Sequence, residues 1–418
     1  MPAHLVSMID VRDFGSETVR IGDLNADGAP DLLFVQCVYP TREITCLTAT
    51  SILGDVLWQV GAPSPENGRL YSDLPVQIYD WDGDGQCEVL YVKQAVYAEP
   101  LPGGSWAREG AKRYEGEATM IVLDAATGRE KGRFALPAPA DDCFLFADLT
   151  GRGRPQDLVV KDRYWNMWGV SHAGEVLWHW PGSPGHFPAV ADVDGDGRDE
   201  VFVGLALVDH DGKELFRSDV ETHQDAVYIW RLDEDAWLLL TVDDGVRCLE
   251  ADGTELWRRP LKHAQHVVAG RFRTDSPVQF AVIDRTQPDV LLLYDLEGKE
   301  LWRRPQPGAK DGCCAGCVGI EWSGPGRPKS ILVYGRGRGE PVAVYDGSGE
   351  IVDTCAMAYT PERKSEERRA EFYCTMADVW GDSREEVIMF GSRGACIYAN
   401  ARPLEVPSLF NETLYPGL

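Results

Sequence analysis

The sequence lacks several features that mark common classes of protein. No apolar run approaches the roughly 18 residues of a membrane-spanning helix, and the first residues contain neither the basic nor the apolar segment of a secretion signal. Basic residues are few: 41 Lys and Arg stand against 67 Asp and Glu, which gives a formal net charge of −26. Nucleic acids are bound through Lys and Arg that displace counterions from phosphates. We therefore expect a cytoplasmic protein without nucleic-acid or membrane partners, while the oligomeric state stays open.

Regular cysteine spacing and a sustained helical period are also missing. The 11 cysteines are odd in number and show no disulfide framework, which agrees with a reducing compartment. Cys313, Cys314 and Cys317 are crowded, but no His or Cys is spaced to complete a tetrahedral zinc site, so buried thiols are the favoured interpretation. No stretch keeps the apolar spacing of an amphipathic helix, and the apolar segments are short, β-branched and aromatic. The composition therefore favours an all-β fold.

The main feature that is present is an internal repeat. An apolar strand runs into a turn and a second apolar strand, and in most copies a Gly-x-x-Leu-Trp-like strand follows. Spacings of roughly 40 to 70 residues suit one four-stranded blade per repeat. The eight turns begin at or near Asp23, Asp80, Asp148, Asp192, Arg231, Arg271, Glu321 and Asp378. The sequence predicts a single domain over residues 1–418 that forms an eight-bladed β-propeller, with a seven-bladed ring as the alternative.

The eighth repeat is incomplete. Its second strand, from Glu386 to Phe390, is followed by Pro403 and Pro407 without a clear Gly-x-x-Leu-Trp strand. The unassigned segment from Leu5 to Val11 is the natural substitute. We expect it to pair with the last blade, which closes the ring and removes an exposed sheet edge.

Three of the turns have the residue pattern of a calcium-binding loop. Carboxylates on alternate residues of a tight loop point inward together, as the oxygen-rich coordination of Ca²⁺ requires, and a Gly in each loop permits the positive φ of the reversal. The alternative is an Asp/Gly turn without metal. The predicted ligands are Asp23, Asn25, Asp27 and Asp31; Asp80, Asp82, Asp84 and Glu88; and Asp192, Asp194, Asp196 and Glu200. The sequence predicts structural Ca²⁺ at these three turns and no ion at the others.

A second set of polar residues is expected at one mouth of the ring. The innermost strands of a propeller all run in the same direction, so the residues that precede them meet at one mouth and the Asp-rich turns at the other. Three successive blades deliver His186, His223 with Asp225, and His263 with His266. The loops after the second strands return to this mouth and carry Lys93, Tyr97, Lys161, Arg163, Tyr164, Trp165, Arg336 and Arg338. Two interpretations are open. These residues are either turn and edge-capping residues with a structural role, or they form a groove for an anionic or sugar-like ligand.

Three segments carry a resemblance to a known family. Lys161 to Trp168, Gly185 to Glu200 and His223 to Val227 resemble the rhamnogalacturonan lyases of polysaccharide lyase family 11, mainly within residues 70–270. The resemblance implies a calcium-binding eight-bladed propeller with its active cleft at the central mouth. The chain departs from those lyases in being shorter, in having no secretion signal and in keeping fewer calcium loops. Because we expect a cytoplasmic protein, we expect an acidic oligosaccharide as its substrate rather than a polymer.

The resemblance implies cleavage of a uronate by β-elimination. This reaction needs a base for the C5 proton, a cation to neutralise the carboxylate and an acid for the leaving oxygen. The hypothesis assigns His223 or His186 as base, Arg163 with Lys161 as neutraliser, and Tyr164 or His266 as acid. The expected substrate contacts are Tyr97, Lys93, Trp165, Asp225, His263, Arg336 and Arg338. Two alternatives remain: a propeller hydrolase acting at rhamnose-uronate linkages, and a non-catalytic binding propeller.

Overall fold

The structure is a computed structural model that describes eleven stretches of the chain. These are residues 3–16, 18–38, 41–64, 73–94, 116–220, 223–234, 236–286, 288–306, 315–335, 341–359 and 372–403. Within them, 32 strands form eight four-stranded antiparallel sheets. The same stretches contain no α-helix, and hence none long and apolar enough to cross a membrane.

The first strand of the chain, β1 (His4–Ile9), belongs to the last blade, and the next sixteen strands build blades 1 to 4 in chain order. Blade 1 is β2 (Val19–Gly22), β3 (Asp31–Val38), β4 (Glu43–Thr50) and β5 (Val56–Gly61). Blade 2 is β6 (Val76–Tyr79), β7 (Glu88–Gln94), β8 (Ala118–Asp124) and β9 (Glu130–Leu136). Blade 3 is β10 (Phe144–Ala147), β11 (Asp157–Lys161), β12 (Asn166–Val170) and β13 (Val176–Pro181). Blade 4 is β14 (Ala189–Ala191), β15 (Glu200–Phe202), β16 (Ala206–Val208) and β17 (Glu214–Arg217).

The remaining strands build blades 5 to 8. Blade 5 is β18 (Ala226–Arg231), β19 (Trp237–Val242), β20 (Gly245–Glu250) and β21 (Glu255–Pro260). Blade 6 is β22 (Ala264–Gly270), β23 (Gln279–Asp284), β24 (Val290–Tyr294) and β25 (Glu300–Pro305). Blade 7 is β26 (Ala315–Ile320), β27 (Ser330–Gly335), β28 (Val342–Tyr345) and β29 (Ile351–Cys355). Blade 8 is β30 (Tyr373–Ala377), β31 (Glu386–Gly391), β32 (Gly394–Ala399) and β1. The protein is an eight-bladed β-propeller, and the seven-bladed alternative is excluded.

The N-terminal strand supplies the outermost strand of blade 8. β1 runs antiparallel to β32, with His4 opposite Ala399 and Ile9 opposite Ala395. Ile9 is fully buried and packs in one cluster with residues of blades 1 and 8. The first and last parts of the described chain therefore share one sheet.

The hydrophobic core lies between adjacent blades rather than at one centre. One cluster, for example, joins Leu90 and Val92 of blade 2 to Phe144 and Leu158 of blade 3. The middle strands are the most buried, and every residue of β23 is buried. Each blade therefore contributes two apolar faces to a ring of repeated small cores, as expected for a repeat architecture.

The Gly-x-x-Leu-Trp signature joins four of the blades to the next one. In the clearest example, the Trp178 indole of blade 3 donates a hydrogen bond to the His210 carbonyl of blade 4 at 2.7 Å. It also packs on Gly212, whose φ is +84° and whose Cβ, if present, would lie 2.7 Å from the Trp178 Cβ. The same indole bond recurs in Trp58 to Ala125, Trp257 to Leu296 and Trp302 to Gly347. The Trp of one copy therefore requires the Gly of the following copy.

Strand direction separates the two sets of polar residues. His186 precedes the inner strand β14, whereas the turn that begins at Asp192 follows it. The histidines and the Asp-rich turns therefore lie at opposite ends of the inner strands, as the repeat pattern predicts. We call the histidine end the central mouth.

Candidate active site

A cavity of about 300 Å³ opens at the central mouth. Every blade contributes at least one residue to its wall, which includes Arg20, Asp73, Asp142, Arg163, His186, Asp225, His266, Tyr334 and Tyr373. Four of these were predicted from the sequence as catalytic or substrate-binding residues: Arg163, His186, Asp225 and His266. The structure thus brings residues from separate repeats together at one concave site.

Two adjacent aspartates anchor the basic residues of this site. Asp141 and Asp142 precede β10, and both side chains are fully buried. Asp141 forms ion pairs with Arg42 and with Arg163, the latter at 3.0 Å. Asp142 lies 3.4 Å from the Lys161 ammonium. Asp142 also has a φ of +62°, in the left-handed region that residues other than glycine rarely adopt. Lys161 and Arg163 are therefore each fixed by an ion pair with a buried carboxylate.

The charge state of Asp142 determines the hydrogen-bond direction at His186. Burial alone would raise the pKa of Asp142, but Lys161, a hydrogen bond from His186 and the Arg163 guanidinium hold that pKa well below its ordinary value of 3.8. The carboxylate is thus ionised at neutral pH and can only accept. His186 Nδ1, which lies 3.3 Å from Asp142 Oδ2, is then the protonated nitrogen of the neutral ring. Asp142 therefore leaves His186 Nε2 as an acceptor.

Tyr164 completes this chain of hydrogen bonds. Its hydroxyl lies 2.9 Å from His186 Nε2, and burial raises the pKa of Tyr164, so the phenol keeps its proton and donates it. The Arg163 guanidinium lies over the Tyr164 ring at 5.1 Å from the ring centroid. The result is a chain from the Asp142 carboxylate through His186 to the Tyr164 hydroxyl, in which the imidazole can take up a proton and the phenol can release one.

Asp225 is the centre of a second cluster, formed by the three histidine-bearing blades. Its carboxylate lies 3.5 Å from His223 Nε2, 3.7 Å from His186 Nε2 and 3.2 Å from His263 Nε2, and it accepts a hydrogen bond from the Gln265 amide. Burial alone would raise the pKa of Asp225, but the hydrogen bond from His223 and the charges of His186 and His263 lower it. The carboxylate is therefore ionised; it lies close enough to bond His223 and His263, while His186 Nε2, at 3.7 Å, remains the acceptor of the Tyr164 hydroxyl.

The same cluster has the ligand types of a transition-metal site. His186, His223 and Asp225 each place one ligand atom within 4.8 Å of the others, and Asp225, Asp243 and His263 do the same. Imidazole nitrogens and carboxylate oxygens are ligands that divalent transition metals accept. These residues could hold an ion beside the cavity.

The remaining predicted contacts are placed as follows. Trp165 follows Tyr164 in the loop between β11 and β12, and the two rings meet edge to face at 6.3 Å. Lys93 lies on β7 and its side chain is exposed. A hydrogen bond from Arg133, and to a smaller extent the charge of Lys93, lower the pKa of Glu130 on β9. Lys93 is not among the residues that line the described cavity. Tyr97, Arg336 and Arg338 lie outside the described residues.

Several residues of the site were not predicted from the sequence, among them Tyr334 and Tyr373 of the cavity wall. Asp142, just before β10, and Gln265, between the predicted His263 and His266, were not predicted. Arg42 reaches Asp141 across 99 positions of the chain, which no local pattern indicates. Arg20 had a usable signal, because it is a charged residue within the apolar inner strand β2, where one face must point to the channel. It binds Asp73 at 2.8 Å in the cavity wall.

The predicted calcium turns keep the loop geometry that their sequences indicate. In the first, the Asp23 carboxylate accepts the Gly28 amide at 2.9 Å, and Asp31 accepts the Leu24 amide at 3.0 Å. In the fourth, Glu200 is fully buried, and its Oε1 has no hydrogen-bond partner among the described residues. An orphaned buried carboxylate oxygen beside Asp192 and Asp194 fits a bound cation. The second turn differs, because the Lys131 ammonium lies within it.

Comparison with known proteins supports the resemblance over part of the chain. The sequence profile described as rhamnogalacturonan lyase family 11, C-terminal domain, matches residues 161–239. Rhamnogalacturonan exolyase YesX of Bacillus subtilis is 44% identical over 266 residues, which cover 53% of this chain and 43% of that protein. Rhamnogalacturonan endolyase YesW of the same organism is 23% identical over 266 residues, covering 53% of this chain and 42% of YesW. The matched stretch therefore spans less than half of each curated relative.

Structural comparison extends the likeness of fold to almost the whole chain. The crystal structure of the exotype rhamnogalacturonan lyase YesX aligns with a TM-score of 0.64 and 19% identity, covering 96% of this chain and 76% of that one. The profile match at 161–239 contains Lys161, Arg163, His186, His223 and Asp225. In sequence over that stretch, and in fold around the ring, this chain resembles the rhamnogalacturonan lyases of family 11.

Proposed function

We propose that this protein is a lyase that cleaves rhamnose- and uronate-containing oligosaccharides by β-elimination at the central mouth. One observation carries the proposal: the hydrogen-bonded chain Asp142–His186–Tyr164 lies at a cavity whose wall contains Arg20 and Arg163. It places a proton acceptor, a proton donor and guanidinium groups within one site. Three residues of this site, Arg163, Tyr164 and His186, fall in the stretch that matches the family 11 profile.

The proposed reaction has three components. A base removes the C5 proton, and the released electron pair forms the C4–C5 double bond. The C4–O bond breaks as this double bond forms, its electron pair leaves with the oxygen, and the departing oxygen takes up a proton. A cation beside the uronate carboxylate makes the C5 proton more acidic by stabilising the charge that develops there. No water is consumed, so the product is an unsaturated uronate.

The residues are assigned as follows. His186 or His223 is the base, because imidazole has a pKa suited to proton transfer near neutral pH. Tyr164 or His266 is the acid. Arg163 is the neutralising cation. Lys161 is buried against Asp142, so we place it as a positioning residue that keeps Asp142 ionised and thereby fixes the His186 ring.

The charge states of the wall favour elimination over hydrolysis. Most glycoside hydrolases use a carboxyl pair in which one member has a raised pKa and donates a proton to the leaving oxygen. Asp142 and Asp225 both have lowered pKa values and are ionised. Neither can serve as that acid. Burial raises the pKa of Asp141, but this side chain is fully buried against Arg42 and Arg163 and is not among the residues that line the described cavity. A histidine and a tyrosine can supply the proton transfers of an elimination.

We also propose Ca²⁺ as a structural cofactor at the first and fourth turns. The orphaned Glu200 Oε1 supports the fourth site, and the loop in which Asp23 and Asp31 accept the Gly28 and Leu24 amides supports the first. Both turns lie at the end of the inner strands opposite the central mouth, so these ions would brace the ring and take no part in proton transfer.

The proposed activity is tested with the purified chain and a panel of rhamnose-uronate oligosaccharides. Ultraviolet absorbance reports the C4–C5 double bond, and mass spectrometry distinguishes an elimination product from a hydrolysis product by one water. We expect unsaturated products. Saturated products would establish the hydrolase instead, and a complete lack of product across the panel would contradict both.

A further inference from the structure

The second and fourth turns, residues 80–88 and 192–200, form an internal comparison. Each has the sequence Asp-x-Asp-Gly-Asp-Gly-x-x-Glu, and each belongs to the inner hairpin of its blade. Their backbone hydrogen bonds correspond position by position. The first Asp accepts from two glycine amides, the second and third accept from the residue two positions later, and the final Glu accepts through Oε2 from the residue after the first Asp. The two turns therefore have the same sequence pattern and the same hydrogen bonds in two different blades.

They differ at the second oxygen of the final glutamate. In the second turn, Lys131 Nζ lies 2.6 Å from Glu88 Oε1, 2.7 Å from Asp82 Oδ2 and 4.0 Å from Asp84 Oδ2. In the fourth turn, the corresponding oxygen, Glu200 Oε1, has no hydrogen-bond partner in the described structure. Both glutamates are almost fully buried, with 1% and 0% of the residue exposed. Only one of the two matched buried glutamates therefore has its second oxygen bonded by a cationic side chain; in the fourth turn His210 lies near Asp196 and Glu200 but does not bond Glu200 Oε1.

The repeat itself shows that Lys131 is the exception. A Glu–Arg ion pair spaced three residues apart recurs on the outer strands β9, β17, β21 and β25 and marks equivalent positions in the four blades. The position directly after the Glu of this pair is occupied by Lys131, Leu215, Leu256 and Leu301. Blade 2 thus has an ammonium at the position where blade 4 has the Leu215 side chain.

We propose that the Lys131 ammonium is a tethered replacement for the metal ion in the second turn, so that this turn is cation-independent while the fourth turn takes a divalent cation. Lys131 satisfies the buried oxygen and neutralises carboxylates that would otherwise repel one another. An ion in the second turn would have to displace it. The calcium predicted from the sequence at Asp80, Asp82, Asp84 and Glu88 is therefore not expected in this chain. This inference does not depend on the proposed activity.

Counting bound Ca²⁺ tests the proposal directly. The full-length chain and its variants are stripped with EDTA, dialysed to equilibrium against Ca²⁺, and analysed for metal per chain. Lys131→Met keeps the length of the side chain without its charge, and we expect it to bind one ion more than the wild-type chain. Leu215→Lys installs the ammonium in blade 4, and we expect it to bind one ion fewer. Lys213→Met, which removes an exposed lysine of blade 4 that pairs with Asp211, is the matched control and should leave the count unchanged.

Thermal melting gives a second readout. Lys131→Met should melt below the wild-type chain in EDTA. Added Ca²⁺ should raise the melting temperature of Lys131→Met by more than it raises that of the wild-type chain, whose second turn takes no ion. Should Lys131→Met fail to fold, Asp82→Asn in the otherwise wild-type chain decides the question: an unchanged ion count supports the proposal. Loss of one ion in Asp82→Asn, or an unchanged count in Lys131→Met, would overturn it.

Discussion

At the scale of single residues, buried carboxyl groups couple this fold to pH. Glu386 of blade 8 is 1% exposed, and burial raises its pKa from 4.5 to about 7, although the Trp380 and Val379 amides act to lower it. At a pH between 4.5 and about 7, Glu386 keeps its proton in the folded chain and has lost it in the unfolded chain. The stability present at pH 4.5 is therefore lost as pH rises towards 7, by an amount on the order of 3 kcal/mol.

Glu386→Gln isolates this effect, because the amide oxygen can still accept both backbone hydrogen bonds. We expect the variant and the wild-type chain to melt at similar temperatures at pH 5, where both side chains are neutral. At pH 8 the variant should melt higher. Melting curves of the two proteins that stay parallel across this range would show that Glu386 is not the titrating group.

The site could be predicted from the sequence only where a residue occupies a repeated position. His186, His223, His263 and His266 were placed at one mouth because strand direction alone determines which ends of the inner strands meet. Asp142 could not be predicted, because its contacts with Lys161 and His186 depend on the left-handed backbone conformation at this residue. Such contacts between blades depend on side-chain packing that no spacing in one sequence encodes.

At the scale of the structural element, the outer-strand tryptophans act as clamps between blades. Trp257 is largely buried, and its indole donates to the Leu296 carbonyl of the next blade at 2.8 Å. Trp257→Phe keeps most of the packing but leaves that carbonyl without its donor, which should cost about 1 kcal/mol. Trp257→Ala also creates a cavity, and the expected loss is about 3–5 kcal/mol.

Chemical denaturation of these variants measures the clamp. Trp380→Ala is the control, because that side chain is 53% exposed and its loss should change the stability by no more than about 0.5 kcal/mol. Equal losses in Trp257→Ala and Trp380→Ala would argue against a clamp. The sequence signature predicted the strand itself, but only the structure shows that its Gly and Trp belong to contacts between neighbouring copies.

At the scale of the whole molecule, blade 8 is assembled from the two ends of the described chain. β1 pairs along β32 and buries Ile9, and the next residues bury Val11. Deletion of residues 1–12 should expose the edge of β32 and the core between blades 8 and 1, and so lower the melting temperature sharply. Met8→Ala, on the same strand but 48% exposed, is the control with little expected change. An unchanged melting temperature after the deletion would refute the closure.

The ring architecture was predictable as a whole because each repeat carries the same strand and turn signals, and eight copies reinforce one another. The turns favoured eight blades and gave their order, and the eight sheets of the structure exclude the seven-bladed alternative. What the repeats could not indicate is where they depart from each other, as Lys131 and Leu215 do, because such exceptions become meaningful only when matched turns are compared in three dimensions.

The central claim is that the Asp142–His186–Tyr164 chain at the central mouth performs β-elimination on a uronate. The most direct measurement is the rate at which unsaturated uronate appears, followed by ultraviolet absorbance, for the wild-type chain, His186→Ala and His179→Ala. His179 lies on the outer strand β13, away from the cavity lining, and serves as the matched control. We predict product formation by the wild-type chain and the control, and a loss of about 100-fold or more in His186→Ala, the scale of general acid–base catalysis. Equal rates for all three proteins would contradict the account.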